Sequence, residues 1–366
     1  MPEIWIPYGG VETLVTLQAE NLGTVAEAPL EAPSPEAERM AEILGGTSRL
    51  YICDSSPVTL EFLKGLLSTI GGMQGLRIFS PAPKRVESSL AELKGKVSTL
   101  APPFPSDEEG GATYAPELME RGTKLFLGSA RPDPMFGILD AKAEACLSWV
   151  ARSRSVAAGD QSGMEPEPLR KTPAYDAIEN LTDKIPEAKY ITLVPRGGKL
   201  RTVMEDAPFD AIKNSFAKVQ VSPTKGIVLG AGGRGYDDTF SSALRGIWNA
   251  LDGVRRAGTV LLVAECSEGV GSTALEMLVT GRIEEGERRR NRYVDGMEEV
   301  FYLSKLRSEY DVLLLSGLPE TYARSKLGLT TAKGSGEAVG RMLNKVGRTG
   351  KVNVVPRAPE CLVQSG

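Results

Sequence analysis

The chain has 366 residues, of which 41% are hydrophobic and 25% are charged, and its formal net charge is −4. These proportions are typical of a globular protein with a substantial core, and the acidic balance argues against non-specific binding of nucleic acid. The sequence contains no histidine, which excludes Ser-His-Asp triads, Cys-His pairs and metal sites built on imidazole.

Neither the first residues nor the cysteines indicate export. The start, MPEIWIPYGG, has no basic region followed by an apolar one, so we expect no signal peptide. No apolar run approaches the roughly 20 residues that span a bilayer. The four cysteines lie far apart, and we expect each to be a small buried residue rather than a ligand: Cys53, Cys146, Cys266 and Cys361. A cytoplasmic location is the expectation.

The first half alternates predicted strands and helices between polar loops. A β-hairpin is predicted around Gly9-Gly10 and another, over residues 189–205, around Gly197-Gly198. Strands are predicted at 49–54, 76–80 and 123–130, and helices from Pro57, at 86–96 and at 208–219. Residues 26–37, 101–117 and 153–173 are rich in Pro, Gly or charge and are predicted to be loops.

The second half is more regular. Strands are predicted at 225–230, 259–266, 310–317 and 351–356, with helices at 237–258, 272–281 and 336–347 between them. This alternation predicts a parallel sheet covered by helices on both faces. The charged run at 284–292 is interpreted as a solvated helix face rather than a nucleic-acid patch.

Three loops at predicted strand ends could carry chemistry, because ligands of α/β sheets bind at the carboxyl ends of strands. The loop at 230–238 matches GxGxxG through Gly230, Gly232 and Gly235, which leaves a dinucleotide, a small anion or a plain tight turn open. The loop at 264–272 is polar and glycine-rich, although Ser272 could simply cap the next helix. The loop at 125–137 carries Arg131 and Asp133.

These loops together resemble the nickel-pincer lactate racemases, the LarA-like family, over nearly the full length and in the same order. The resemblance is carried by ICDSSP (52–57), GSARPDPMFG (128–137), GAGGRGYDD (230–238), SSALRG (241–246) and, most specifically, VAECSEGVGS (263–272). It implies two α/β domains, at residues 1–220 and 221–366, with a ligand cleft between them. It also implies a lysine-bound pincer that holds nickel, and histidines that move protons.

The chain departs from the family where that chemistry is done. The resemblance places Asp133 and the loop at 80–84 where the family has histidines, and Ser55-Ser56 where it has a substrate arginine. The pincer-bearing lysine aligns with Ala143, or with Lys142 after a one-residue gap. Ser242 takes the place of a substrate glutamine, and Arg245 that of a substrate lysine.

The candidate residues follow from these positions. The catalytic candidates are Lys142, Asp133 and Glu265, with Tyr236 as a further acid or base; the candidates for ligand binding are Arg245, Arg131, Ser242, Gly232, Gly233, Asp238 and Ser267. No metal ligands are assigned. No cofactor is expected, unless the family chemistry survives and brings the nickel-pincer nucleotide.

Three functions remain open from the sequence. The first is a divergent protein that binds a small anion, such as an α-hydroxy acid, and has lost racemisation. The second is an active α-hydroxy-acid racemase or epimerase with non-histidine acid and base groups. The third is a regulatory or scaffold protein, for which the RRRNR run would be the only nucleic-acid candidate. A homo-oligomer is possible, and no membrane partner is expected.

Overall fold

A computed structural model describes residues 2–27, 47–69, 76–80, 83–90, 98–100, 106–108, 111–114, 116–145, 169–284, 294, 296–347 and 349–366. The strands are β1 (Glu3–Tyr8), β2 (Val11–Thr16), β3 (Leu22–Val25), β4 (Thr47–Ile52), β5 (Arg77–Phe79), β6 (Ser98–Leu100), β7 (Ser106–Glu108), β8 (Gly111–Thr113), β9 (Thr123–Ser129), β10 (Arg131–Asp133), β11 (Gly137–Leu139), β12 (Ala188–Arg196), β13 (Lys199–Glu205), β14 (Ala217–Val221), β15 (Thr224–Gly230), β16 (Val254–Val263), β17 (Asp311–Leu315), β18 (Thr330–Ala332), β19 (Val352–Val355) and β20 (Cys361–Ser365).

The α-helices are α1 (Pro57–Thr69), α2 (Pro83–Ser89), α3 (Pro116–Met119), α4 (Ala141–Ala145), α5 (Pro173–Thr182), α6 (Phe209–Ser215), α7 (Phe240–Gly246), α8 (Thr273–Val279), α9 (Met297–Glu309), α10 (Glu320–Ser325) and α11 (Ser335–Val346). Two 3₁₀ helices, Trp248–Gly253 and Ala358–Glu360, complete the described elements. Within these residues no helix has the length and apolarity to cross a bilayer.

The first sheet has the strand order β13-β12-β9-β4-β5-β6. Its strands run parallel except β13, which returns from β12 as the predicted hairpin. The central strand β9 is buried along nearly all its length, as expected for a parallel strand covered on both faces. On one face the rings of Phe79, Tyr51, Phe126 and Tyr190 stack across four neighbouring strands, with centroids 4.5–5.0 Å apart.

The second sheet has the order β18-β17-β16-β15-β19-β3, and all its strands are parallel. The α/β class and the parallel sheets predicted from the sequence are therefore confirmed. Three cysteines are buried thiols, as predicted: Cys53, Cys266 and Cys361. Cys146, the loop at 153–168 and most of the charged run at 284–292 lie outside the described residues.

The N-terminal 25 residues belong with the second sheet. Strand β3 pairs with β19, and Ile6 and Val15 of the β1–β2 hairpin share a buried apolar cluster with Val228 and Leu261. A division at residue 220 would separate β14 from β20, which pair in parallel. The domain boundaries at residues 1–220 and 221–366 stay a prediction. Any boundary near residue 220 places β14 and its partner β20 in different domains.

The predicted helix over 237–258 is wrong in its second half. Helix α7 ends at Gly246, a 3₁₀ helix follows, and β16 begins at Val254. The Asn249 amide donates to the carbonyl oxygens of Ala358 and Cys361, more than 100 residues away. These buried side-chain bonds tie the 3₁₀ segment to the C-terminal part of the chain, and Gly258 lies inside β16 rather than ending a helix. The predicted loop at 101–117 is also wrong in part, since it contains β7 and β8.

Candidate functional site

The carboxyl ends of the two sheets face each other. A Cβ added to Gly235, in the loop after β15, would lie 2.9 Å from Ser56 Cα in the turn after β4. The Arg85 guanidinium of α2 pairs with Asp238 of the same loop, with Nη1 2.6 Å from Oδ2. Loops from both sheets thus form one junction, at the position where ligands of α/β proteins bind.

The glycines of the 230–238 loop serve the packing of this junction. Gly232, Gly233 and Gly235 all have φ between +81° and +101°, a conformation that glycine adopts without strain. Added Cβ atoms would lie 3.2 Å from the Tyr236 ring, 2.9 Å from Pro7 and 2.8 Å from Pro57, respectively. Because protein atoms already occupy the space beside these glycines, the geometry favours a tight turn over a phosphate cradle.

Asp237, which the sequence reasoning did not single out, joins three segments. Its Oδ2 accepts hydrogen bonds from the backbone N–H groups of Gly9 at 2.9 Å and Glu265 at 3.1 Å. Burial raises the pKa of Asp237, and these two donors offset only part of that shift. The only available signal was its place beside Asp238 in a polar loop after a buried strand. Glu265 is held here by its backbone, and Ser267 of the same loop is exposed.

Arg245 is the centre of a buried ion cluster. Its Nε donates to Glu299 Oε1 at 2.7 Å, and its Nη2 donates to both Glu299 and Glu298. Its Nη1 lies 3.6 Å from Asp133 Oδ2. Burial raises the pKa of Glu299 although Arg245 acts in the opposite direction. A ligand anion at Arg245 would therefore have to compete with three carboxylates of the chain itself.

The other candidates in the 125–137 loop are also engaged. Asp133 Oδ1 accepts the backbone N–H groups of Met135 at 2.8 Å and Phe136 at 3.0 Å. Arg131 forms an ion pair with Glu144 of α4. The structure thus brings Asp133 and Arg245 together, as one site requires, while Arg131 is neutralised separately.

Lys142 and Ser242 lie in different surroundings. The Lys142 Nζ stands 5.7 Å from the Tyr190 ring centroid, at the end of the aromatic stack. Ser242 belongs to the first turn of α7, where its N–H donates to the N-cap oxygen of Thr239 at 3.2 Å. In the described part of the chain, no direct contact joins Lys142 to the Asp133–Arg245 pair.

The residues present do not fit the nickel-pincer group that the resemblance implies. The chain has no histidine, and within the described residues no three acidic or thiol side chains are placed to hold a metal ion. Ala143, on which the pincer lysine aligns without a gap, is a buried methyl group. The backbone N–H of Ala143 donates to Asp140 Oδ1 at 2.8 Å. The first turn of α4 is therefore capped by a carboxylate, and Ala143 offers no amine to carry a cofactor.

An open cleft of about 550 Å³ lies beside the junction. It is lined by Ser55, Pro57, Leu60, Glu61, Lys64, Arg85, Ser88, Ser89 and Arg234. Arg234 is exposed, and no hydrogen bond or ion pair involves its guanidinium within the residues that the structure describes. The sequence reasoning missed this cleft, although Arg234 stands inside the glycine-rich motif.

Two buried carboxylate oxygens of the junction have no hydrogen-bond partner among the described residues, Asp133 Oδ2 and Asp237 Oδ1. The Tyr236 hydroxyl and the Glu299 carboxylate are also buried, and they have Ser129 and Ser272 as hydrogen-bonding neighbours. Burial raises the pKa of the Tyr236 hydroxyl far above its ordinary value, so the phenol keeps its proton and is not a base at neutral pH. Because buried polar groups normally have partners, the two carboxylate oxygens are acceptors that water or a ligand group could use.

Comparison with known proteins supports the fold and goes no further. No family model and no curated protein sequence matches the chain. Among solved structures, the lactate racemase apoprotein from Thermoanaerobacterium thermosaccharolyticum superposes with a TM-score of 0.73, covering 99% of this chain and 100% of that one at 15% identity. The chain therefore has the fold of that lactate racemase, as the sequence motifs predicted.

Proposed function

We propose that the protein binds a small anionic ligand, such as an α-hydroxy acid, in the cleft beside Arg234, and does not racemise it through the family's chemistry. The observation that carries this is the charge of the cleft. Lys64, Arg85 and Arg234 line it against a single acid, Glu61. The chain as a whole is acidic, with a net charge of −4, so this local excess of positive charge is not a property of the surface in general.

The cations of the cleft differ in how far they are already neutralised. Arg85 is held by Asp238 at 2.6 Å and lies 3.9 Å from Glu268, which fixes its position at the cleft wall. Arg234 and Lys64 are exposed. Within the described residues Arg234 has no ion pair that a bound carboxylate would have to break, and guanidinium groups bind carboxylates through paired hydrogen bonds.

Two further features support binding here. Ser55 contributes a hydroxyl beside the first turn of α1, whose start faces the cleft through Pro57. The positive end of a 13-residue helix favours an anion by a few tenths to about 1 kcal/mol. Both features come from the turn before α1, where the resemblance places the family's substrate arginine and this chain has Ser55-Ser56. Arg234, in the loop after β15 of the second sheet, supplies the positive charge that this turn lacks.

An active racemase is the less favoured alternative. Racemisation needs acid and base groups on both faces of the substrate, and the candidates are committed elsewhere. Asp133 accepts two backbone N–H groups and faces Arg245. The Tyr236 phenol holds its proton tightly, so it could serve as an acid but not as a base at neutral pH.

Calorimetry with D-lactate, L-lactate and gluconate tests the proposal. We expect one of these anions to bind at millimolar concentration or tighter, and Arg234→Gln to weaken that binding about tenfold or more. Arg324→Gln is the matched control, because Arg324 is an exposed arginine with 76% of its side chain accessible on α10. Unchanged affinity in Arg234→Gln, or no binding by any of the three, would refute the proposal. Interconversion of D- and L-lactate would favour the racemase alternative.

The other expectations from the sequence remain predictions. These are a cytoplasmic location, which cell fractionation would test, and a homo-oligomer, which light scattering would test. The regulatory alternative is compatible with the same cleft, since a protein that binds an anion without turnover acts as a sensor or carrier.

A further inference from the structure

A second cavity lies at the opposite end of the second sheet from the cleft beside Arg234. It has a volume of about 750 Å³ and is bordered by Pro223 and Val254, at the amino ends of β15 and β16. The 3₁₀ helix Trp248–Gly253, the end of α9 and strand β20 also contribute to its wall. The carboxyl-end junction and this amino-end cavity are therefore separated by the length of the sheet.

The cavity is strongly basic. It is lined by five cationic residues, Arg170, Lys213, Arg255, Arg256 and Lys305, against two acids, Asp252 and Glu309. One of these acids is already used, since Lys305 Nζ pairs with Glu309 Oε1 at 3.1 Å. In a chain with a net charge of −4, a concave surface with this excess of cations attracts anions.

Arg255 and Arg256 are presented to the cavity by an irregular strand. Adjacent side chains of a regular strand point to opposite faces, yet both arginines line this cavity. The β15–β16 pairing shifts register here, between Thr224 and Gly226, and Ala257 takes a φ of +56°. Left-handed geometry is unfavourable for a non-glycine residue, so the surrounding structure must hold Ala257 in it. The irregularity is what allows two neighbouring guanidinium groups to share one space.

The first of these arginines is also fixed in place. Arg255 Nε donates to the Pro223 carbonyl oxygen at 3.0 Å, and within the described residues its two terminal nitrogens remain available to a ligand. Burial raises the pKa of the Tyr310 phenol, and the charge of nearby Arg256 offsets part of that rise. Tyr310 lines the same cavity.

An apolar floor lies beneath the charges. Trp248, Leu251, Leu362 and Val363 contribute to the lining, and Trp248 is only 6% exposed. Its ring meets Tyr302 edge-on at 5.9 Å, which holds the indole in one orientation. Cavities of roughly 300–1,000 Å³ with an apolar lining and a few charged groups are typical of small-molecule sites.

We propose that this cavity is a second ligand site, which binds an organic phosphate: a phosphate group at Arg255 and Arg256, and an apolar body against Trp248 and Leu362. Two adjacent guanidinium groups match the three terminal oxygens of a phosphate monoester better than the two oxygens of a carboxylate. The apolar floor selects an ester over inorganic phosphate. This site is independent of the cleft beside Arg234.

Calorimetry and tryptophan fluorescence with phenyl phosphate, AMP and inorganic phosphate test the proposal. We expect phenyl phosphate or AMP to bind at least about tenfold tighter than inorganic phosphate, because only the esters cover the apolar floor. Arg256→Gln should weaken ester binding about tenfold, and the Arg255→Gln/Arg256→Gln variant further still. Trp248→Phe should abolish the ligand-dependent fluorescence change while the heat of binding remains.

The two sites are distinguished by crossed variants. Ester binding at this cavity should persist in Arg234→Gln, and anion binding in the cleft should persist in Arg255→Gln/Arg256→Gln. The proposal is overturned if the double variant, folded by circular dichroism, binds phenyl phosphate and AMP as the unsubstituted protein does. It is equally overturned if neither ester binds at millimolar concentration, or if Arg234→Gln alone removes ester binding.

Discussion

Replacing Arg245 with methionine should destabilise the protein strongly and in a pH-dependent way. Methionine keeps much of the apolar stem but removes the guanidinium group, and with it the charge that faces Asp133, Glu298 and Glu299. All three carboxylates have side chains only 1% exposed. The variant would leave them buried together without a cation.

The magnitude follows from distance and burial. At an effective dielectric constant near 20, one ion pair at the 3.6 Å between Arg245 and Asp133 contributes about 5 kcal/mol of attraction. Desolvation of the arginine offsets much of this in the native protein, but the carboxylates stay desolvated when the arginine is removed. Breaking a buried pair in this way costs about 3–5 kcal/mol, a large part of a typical unfolding free energy of about 5–15 kcal/mol.

The pH dependence has a definite sign. Without Arg245 the pKa of Glu299, already raised by burial, rises further, so the folded variant binds protons more tightly than its unfolded chain. Its stability therefore decreases as pH increases. Each unit of additional pKa shift corresponds to about 1.4 kcal/mol, and the loss should be at least that much smaller at pH 5 than at pH 8.

Urea denaturation at pH 5, 7 and 8 measures this loss. Arg324→Met, which removes an exposed arginine of α10, should stay within about 0.5 kcal/mol of the original protein. Adding Glu299→Gln to Arg245→Met should recover part of the loss, because one unpaired charge disappears. A loss below about 1 kcal/mol at pH 7, or one that does not vary with pH, would refute the assignment of a buried ion cluster.

Three more predictions concern stability. The unsubstituted protein should lose stability as pH rises above the ordinary carboxyl range near 4. The reason is that burial raises the pKa values of Asp140 and Glu299 in the folded state. Urea midpoints that increase steadily from pH 5 to 8 would contradict this. Tyr175→Phe removes the hydroxyl that donates to Asp140 Oδ2 at 2.7 Å and should lower the unfolding free energy by about 1–3 kcal/mol. An unchanged urea midpoint would contradict this. The added methyl group of Gly230→Ala would overlap the Pro356 carbonyl oxygen and should destabilise the protein by more than about 1 kcal/mol. Gly340→Ala, in open space on α11, should instead stabilise it by up to about 1 kcal/mol. Thermal unfolding compares the two variants, and equal midpoints would argue against the packing at Gly230.

The predictable part of the fold was the part encoded locally. Alternating apolar strands and amphipathic helices gave the parallel sheets, because hydrophobic period and turn residues act within a few positions of each other. The errors arose where distant residues decide. The helix predicted to reach Gly258 ends early because Asn249 bonds to Ala358 and Cys361, and β3 pairs with β19 some 330 residues later.

The same distinction applies to the candidate site. The resemblance drew attention to Arg245 and Asp133, which lie 3.6 Å apart; their roles remain a prediction. Two of the carboxylates that neutralise Arg245, Glu298 and Glu299, come from α9, and the loop motifs give no sign of them. Arg234 lies within a motif that matches a known pattern only through its glycines, so the sequence does not reveal the cleft that it lines.

The pairing of Arg245 decides where this junction could attract an anion. Burial raises the pKa values of four carboxyl groups of this histidine-free chain above their ordinary values, those of Asp140, Asp237, Glu299 and Glu360. Arg245 neutralises Asp133 and Glu299, so the centre of the junction offers little net attraction to an anion. Arg234 lines the cleft farther out and forms no ion pair with the described residues. The proposed function therefore places the anion at the edge of the junction and not at its centre.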